Sequence, residues 1–166
     1  MLRKLLVVLV LVFAFKGCTR DDICPEGTAT TPKLIVVFKN VTIPEDKKKV
    51  TGLSVETDYE NSVLVLGRTD TDSIAVPLNT NSDTTRYRFI RTTITNTDTV
   101  VNIDKVMFLY KRQDLYVNRA CGFKAVFNEL ESKLEDEPAD GNWIKEIITE
   151  RTTVNDENKA HIVMLH

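Results

Sequence analysis

From Lys33 onward the chain is broken into short apolar stretches bounded by polar turns, and no run of about 12 residues carries a helical period. Leu34 to Phe38 is β-branched, sits between Pro32 and Asn40, and is apolar on both faces, so it reads as a central strand. Val50 to Glu56 sets Leu53 and Val55 on one face, with Ser54 and Glu56 opposite. Val63 to Leu66 ends at Gly67, and Asp70-Thr71-Asp72 turns the chain into Ser73 to Leu78. Pro77 lacks the donor that a ladder needs and marks a strand end or an edge.

After a polar loop at 79–84, Arg86 to Arg91 alternates, aromatics inward and guanidinium groups outward. Lys105 to Lys111 is a second two-sided strand, and Leu115 to Val117 and Phe123 to Phe127 continue the series. Residues 128–140 interrupt it with an acidic, Pro-containing segment that reads chiefly as an exposed loop, although Leu130 and Leu134 at i,i+4 suit a helical turn. Residues 142–150 fit a strand or a short helix; the β-branched Thr152 and Thr153 beyond favour a strand. Ala160 to Leu165 is the last strand. The expectation is an all-β fold, an antiparallel β-sandwich or partly open barrel of eight or nine strands over residues 33–166, without parallel βαβ units.

Composition agrees with one domain: 166 residues, 42% hydrophobic and 28% charged, with only six glycines. The net charge of −2 offers no basic excess for a phosphate backbone, so no nucleic-acid partner is expected.

Residues 1–17 differ in kind. Arg3 and Lys4 precede an unbroken apolar run of 11 residues, Leu5 to Phe15. That is shorter than the roughly 20 residues a spanning helix needs and has the form of a secretory signal peptide. Gly17-Cys18 directly after it resembles a bacterial lipobox, although Phe15 and Lys16 depart from its stricter form. Cys18 is therefore the expected lipidation site, residues 18–32 a tether, and the membrane a partner through the attached lipid. Acyl burial at about 0.8 kcal/mol per CH₂ makes such an anchor stable. Loss of Arg3, Lys4 and Lys16 leaves 19 cations against 24 acids, a mature charge of −5. Asp21-Asp22 after the Cys resembles a surface-export tag, so the outer membrane, leaning to the cell surface, is the expected location.

With Cys18 on lipid, Cys24 and Cys121 remain, 97 positions apart, in a compartment where disulfides persist. A bridge between them is favoured. The competing readings are free structural thiols, or a Cys121 nucleophile with Arg119 lowering its pKa and His161 as base. No zinc spacing, P-loop, dinucleotide-binding glycine motif or hydrolase elbow is present, so neither a metal nor a cofactor is expected. Asp70-Thr71-Asp72 lacks the Gly and distal Glu of a calcium loop. Glu129 to Glu137 could hold paired carboxylates. Arg86, Arg88 and Arg91 form a candidate anion-binding stripe, with pairing to neighbouring acids as the plainer reading. Ser73, Thr84 and Thr99 stand in Asp-Ser/Thr-apolar tripeptides that resemble Bacteroidota O-glycosylation acceptors. Tyr59, Tyr87, Tyr110 and Tyr116 are candidates for an exposed binding patch.

The lipobox at Cys18, Asp21-Asp22-Ile23-Cys24-Pro25, Thr31 to Phe38, Pro77-Leu78, Arg119-Ala120-Cys121-Gly122-Phe123, Asn142-Trp143-Ile144 and Ala160-His161-Ile162 together resemble a family of Bacteroidota envelope lipoproteins of unknown function. The resemblance spans the mature chain and implies no activity and no functional residue; its Cys-containing segments support the Cys24–Cys121 pairing. The expected role is a non-enzymatic binding or accessory module, engaging an envelope protein or glycan. An envelope hydrolase using loop carboxylates and a purely structural protein are the alternatives.

Overall fold

Apolar β-branched runs and alternating strands produce an all-β fold. In the computed structural model, which describes residues 23–137 and 141–166, nine strands form and no helix does. They are β1 (Leu34–Lys39), β2 (Val50–Thr57), β3 (Leu64–Thr71), β4 (Ser73–Val76), β5 (Thr84–Ile94), β6 (Thr99–Asn118), β7 (Gly122–Leu134), β8 (Glu146–Thr149) and β9 (Ile162–Leu165). One sheet has the order β4-β1-β9-β8 and the other β3-β2-β5-β6-β7. The result is a β-sandwich, with no closed barrel.

The chain divides into two compact units. Of the described residues, the first holds 23–30 and Asp114–Lys124; the second holds Thr31–Gln113 and the residues from Ala125 onward. The β6–β7 turn region thus groups with the N-terminal segment rather than with the strands around it.

The sandwich core lies wholly in the second unit. Leu34, Val36 and Phe38 of β1, and Ile162 and Met164 of β9, join Leu53, Val55, Tyr87, Phe89, Val106, Phe108 and Phe127 of the larger sheet. Burying each such side chain stabilises by roughly 1.5–3 kcal/mol. β1 lies inside its sheet, as its two-sided apolar character requires. β4 is an edge strand and stops at Val76, directly before Pro77. β1 and β9 pair in parallel, Val36 opposite Ile162, whereas β4 and β8 flank them antiparallel. At Asp72 the chain leaves one sheet for the other, and the Asp72 carbonyl accepts from the Phe38 amide at 2.8 Å.

Three local expectations are corrected. β3 does not stop at Gly67 but runs through it to Thr71. Residues 128–134 are not a loop; they continue β7. Leu130 is buried and Leu134 packs on the core, while Glu129, Glu131 and Lys133 face solvent. An i,i+4 spacing is even, so it places both leucines on one face of a strand as readily as on one face of a helix. Trp143 and Ile144, finally, precede β8 rather than belonging to it. They are fixed by the buried Asp104 carboxylate, which accepts from the Trp143 amide at 3.3 Å and the Ile144 amide at 2.7 Å.

Gly52 fits only as glycine. Its φ is +67°, and a Cβ there would lie 2.1 Å from the Thr92 carbonyl oxygen across the β2–β5 pair. Its amide donates to Asp70 at 2.7 Å, pinning the bulge where β2 shifts register against β3. Gly52→Ala is expected to destabilise by about 3 kcal/mol or more, from left-handed backbone strain together with the clash. Gly67→Ala, whose Cβ would meet open space, changes stability by less than about 0.5 kcal/mol. Urea midpoints of the two variants test the contrast; equal midpoints would disprove it.

Candidate functional site

Lys47-Lys48-Lys49 leads into β2, whose first residue, Val50, is fully buried. The Lys48 ammonium donates to the main-chain oxygen of His166 at 2.8 Å, and the His166 Nε2–H donates to the Lys48 carbonyl at 3.1 Å. His166 packs edge-on against Trp143, ring centroids 5.8 Å apart. Burial is the main cause pushing the His166 imidazole below the usual histidine pKa. The Lys48 and Arg91 charges add to it and the bond to the Lys48 carbonyl opposes it.

Arg91 of β5 stands over Trp143, its guanidinium carbon 5.5 Å from the ring centroid, and Arg68 comes from β3. Because β2 lies between β3 and β5, residues from three distant stretches converge. Lys48, Lys49, Arg68 and Arg91, with His166 and Thr92, line a hollow of about 520 Å³. No carboxylate side chain lines it. Such a cluster attracts anions, and the Trp143 ring and the His166 contacts hold Arg91 and Lys48 in place beforehand.

The expected stripe is corrected accordingly. Arg86 and Arg88 share one face of β5, but Arg91, at an odd offset, lies on the other and reaches Trp143. Arg88 pairs with Glu56 at 2.7 Å and approaches Asp58 at 4.0 Å, so the plainer reading holds for it. Only Arg91 enters the cationic hollow; Lys48, Lys49 and Arg68 had no motif to mark them.

A second hollow, about 490 Å³, has mixed lining from Glu150, Arg151, Asp156 and Lys159. There Arg151 binds both oxygens of Asp156, at 2.8 and 3.1 Å. The Arg151 bond, with the Asn158 amide, holds the Asp156 pKa at about 2. Its principal charges are thus directed at each other, which makes it the lesser candidate.

Cys24 and Cys121 form a disulfide in the first unit, Cα atoms 4.8 Å apart. This removes the Cys121 nucleophile. His161, its imagined base, is buried in the second unit and accepts from the Ile35 amide through Nδ1 at 3.1 Å. Burial first, and the Arg151 charge second, push its pKa down. Cys18 and residues 1–17 lie outside the described residues. Ser73, Thr84 and Thr99 each open a strand, Ser73 and Thr84 half-buried and Thr99 exposed. Tyr87 and Tyr110 are core residues, not patch residues: Tyr87 donates to the Pro77 carbonyl, and Tyr110 bonds Thr85 at 2.5 Å and Asn79 at 2.9 Å. Tyr59 and Tyr116 are exposed. Glu129 and Glu131 face solvent from β7, and Glu129 pairs with Lys111 at 2.5 Å. Among the described residues no group of His, Cys, Asp and Glu could hold a metal, and no helix is long and apolar enough to cross a membrane.

Residues 49–166 match the model of a family of unknown function, DUF6452. The chain belongs to DUF6452. The match takes in β2 to β9 and, with them, Lys49, Arg68, Arg91, His166 and Cys121; β1 and Cys24 precede it. No curated protein and no solved structure matches the chain.

Proposed function

We propose that this DUF6452 member is a lipid-anchored envelope protein, exported behind residues 1–17 and attached at Cys18. On this reading it sits at the outer membrane, leaning to the cell surface, and works as a non-enzymatic binding module for an anionic ligand. The observation that carries the binding role is the hollow between β3, β2 and β5, where four cationic side chains converge, Lys48 on the main-chain oxygen of His166, and no carboxylate side chain lines the walls. Such a focus of like charge raises the local concentration of anions although the chain's net charge is −2. The exported, oxidising setting is supported by the Cys24–Cys121 disulfide. The non-enzymatic role is inferred from the described carboxylates Glu129 and Glu131, which both face solvent from one strand. A phosphate, sulfate or sugar carboxylate fits the hollow by charge.

Full-length protein extracted from membranes is titrated calorimetrically with pyrophosphate, a sulfated oligosaccharide and a uronic-acid oligosaccharide, against a neutral oligosaccharide. At least one anion is expected to bind, less tightly as salt rises. Lys49→Gln with Arg68→Gln is expected to weaken it roughly tenfold, at about 0.7 kcal/mol per exposed charge contact. These two are chosen because Lys48 and Arg91 also hold His166 and Trp143. Equal binding of all four probes, or an unchanged affinity in the double variant, would overturn the ligand assignment. Cys18→Ala protein remaining in the membrane fraction would overturn the anchor.

A further inference from the structure

We propose that the β6–β7 turn region lies in the headgroup layer of the membrane that carries the Cys18 lipid, with Tyr116 and Phe123 as its inserted side chains. The proposal rests on the lipid-anchor reading given above.

Within the first unit the large apolar side chains are turned outward. Ile23 is 73% exposed, Tyr116 63% and Phe123 68%. The Tyr116 and Phe123 rings meet edge to face, centroids 5.4 Å apart, so they form one surface rather than two separate exposures. The backbone beneath them is held. Asn118 accepts from the Cys121 amide at 2.7 Å, Gly122 takes a φ of +70°, and Cys121 is bonded to Cys24. An aromatic pair fixed in this way loses little further freedom on insertion.

The length of the connecting chain identifies what covers it. Cys18 and Cys24 are six residues apart, and fully extended chain spans at most about 3.6 Å per residue, or roughly 22 Å. The disulfide adds 4.8 Å between Cα atoms. Whatever path the tether takes, the Cys121 Cα stays within about 27 Å of the Cys18 Cα, a distance below the full thickness of a bilayer with its headgroups. Phe123 is two residues further on. A lipid surface is therefore always within reach, at the high effective concentration of a tethered partner. The side chains match it: Tyr sits well at an apolar–water boundary, and exposed Arg119 and half-buried Lys124 suit anionic headgroups.

The test uses full-length lipidated Phe123→Trp protein in vesicles of phosphatidylethanolamine with a minority of phosphatidylglycerol. Buried Trp143, measured in the unsubstituted protein, supplies the background. The introduced indole is expected to be quenched by lipids brominated near the headgroup and shielded several-fold from acrylamide. Adding Tyr116→Ser should reduce both effects while flotation with the vesicles is unchanged. An indole that stays open to acrylamide in protein that carries acyl chains and floats would overturn the proposal and leave the anchor standing. Protein that lacks acyl mass at Cys18 and does not float would remove the anchor and the proposal together. Shielding that arises only with a co-purified envelope protein, and not in pure lipid, would assign the surface to that protein and overturn the membrane assignment.

Discussion

Replacing Cys24 and Cys121 with serine lowers the midpoint of thermal unfolding by roughly 10 to 20 °C. The two sulfurs are joined across 97 positions of sequence. On the chain-entropy account, opening so long a loop returns about 4 to 5 kcal/mol of freedom to the unfolded state. A domain of this size loses about 2–4 °C for each kcal/mol. Treatment of the unsubstituted protein with a strong reductant should give the same shift, and the serine variant should then be indifferent to reductant. A midpoint that moves by less than about 2 °C in both experiments would mean that the bridge decorates a structure already closed by other contacts.

Asp104→Ala is the second large effect, expected at about 3 to 5 kcal/mol of lost stability. Asp104 is fully buried, and its two oxygens accept from the amides of Trp143 and Ile144. Truncation leaves both donors buried without these partners, at about 1 to 3 kcal/mol each. Asp104→Asn keeps one acceptor but turns an amide NH₂ toward the other donor, so it should recover only part of the loss. The chain has a single tryptophan, so its fluorescence reports on this joint directly. Trp143 is buried, donates through Nε1 to the Phe89 carbonyl at 3.1 Å and lies under Arg91. Loosening the joint should red-shift its emission before global unfolding. Unchanged emission and a urea midpoint equal to that of the unsubstituted protein would contradict the role given to Asp104. Because the same tryptophan supports Arg91, a loosened joint should also weaken the anion binding proposed for the hollow.

Local pattern carried most of the fold. Tyr87 and Phe89 point inward because alternation in a half-buried strand leaves them no other place, and β1 is interior because neither of its faces is polar. The disulfide was legible once Cys18 was set aside, since two cysteines remained. Alternation also contained the correction at Arg91: an offset of three from Arg88 crosses the strand, so the apparent stripe could never have lain on one face. The even spacing of Leu130 and Leu134 was different, because it satisfies both periods and only the neighbours decide. What pattern cannot show is which strand lies beside which. Arg68, Arg91 and the Lys48-Lys49 pair meet only because the order is β3-β2-β5, and register is a property of the assembled sheet. Tyr110 illustrates the same limit. Its aromatic ring marked it equally for a patch or a core, and Thr85 and Asn79, both far in sequence, settle it.

The parallel pairing of β1 with β9 sets the timing of assembly. Val36 finds Ile162 only after the long stretch between them has become available, and among the described strands β8 has β9 alone for a neighbour in its sheet. Contacts of such long range form slowly, and the smaller sheet cannot close around a nascent stub. Here the late-arriving ninth strand acts as the clasp that joins β1 to β8 and closes the smaller sheet.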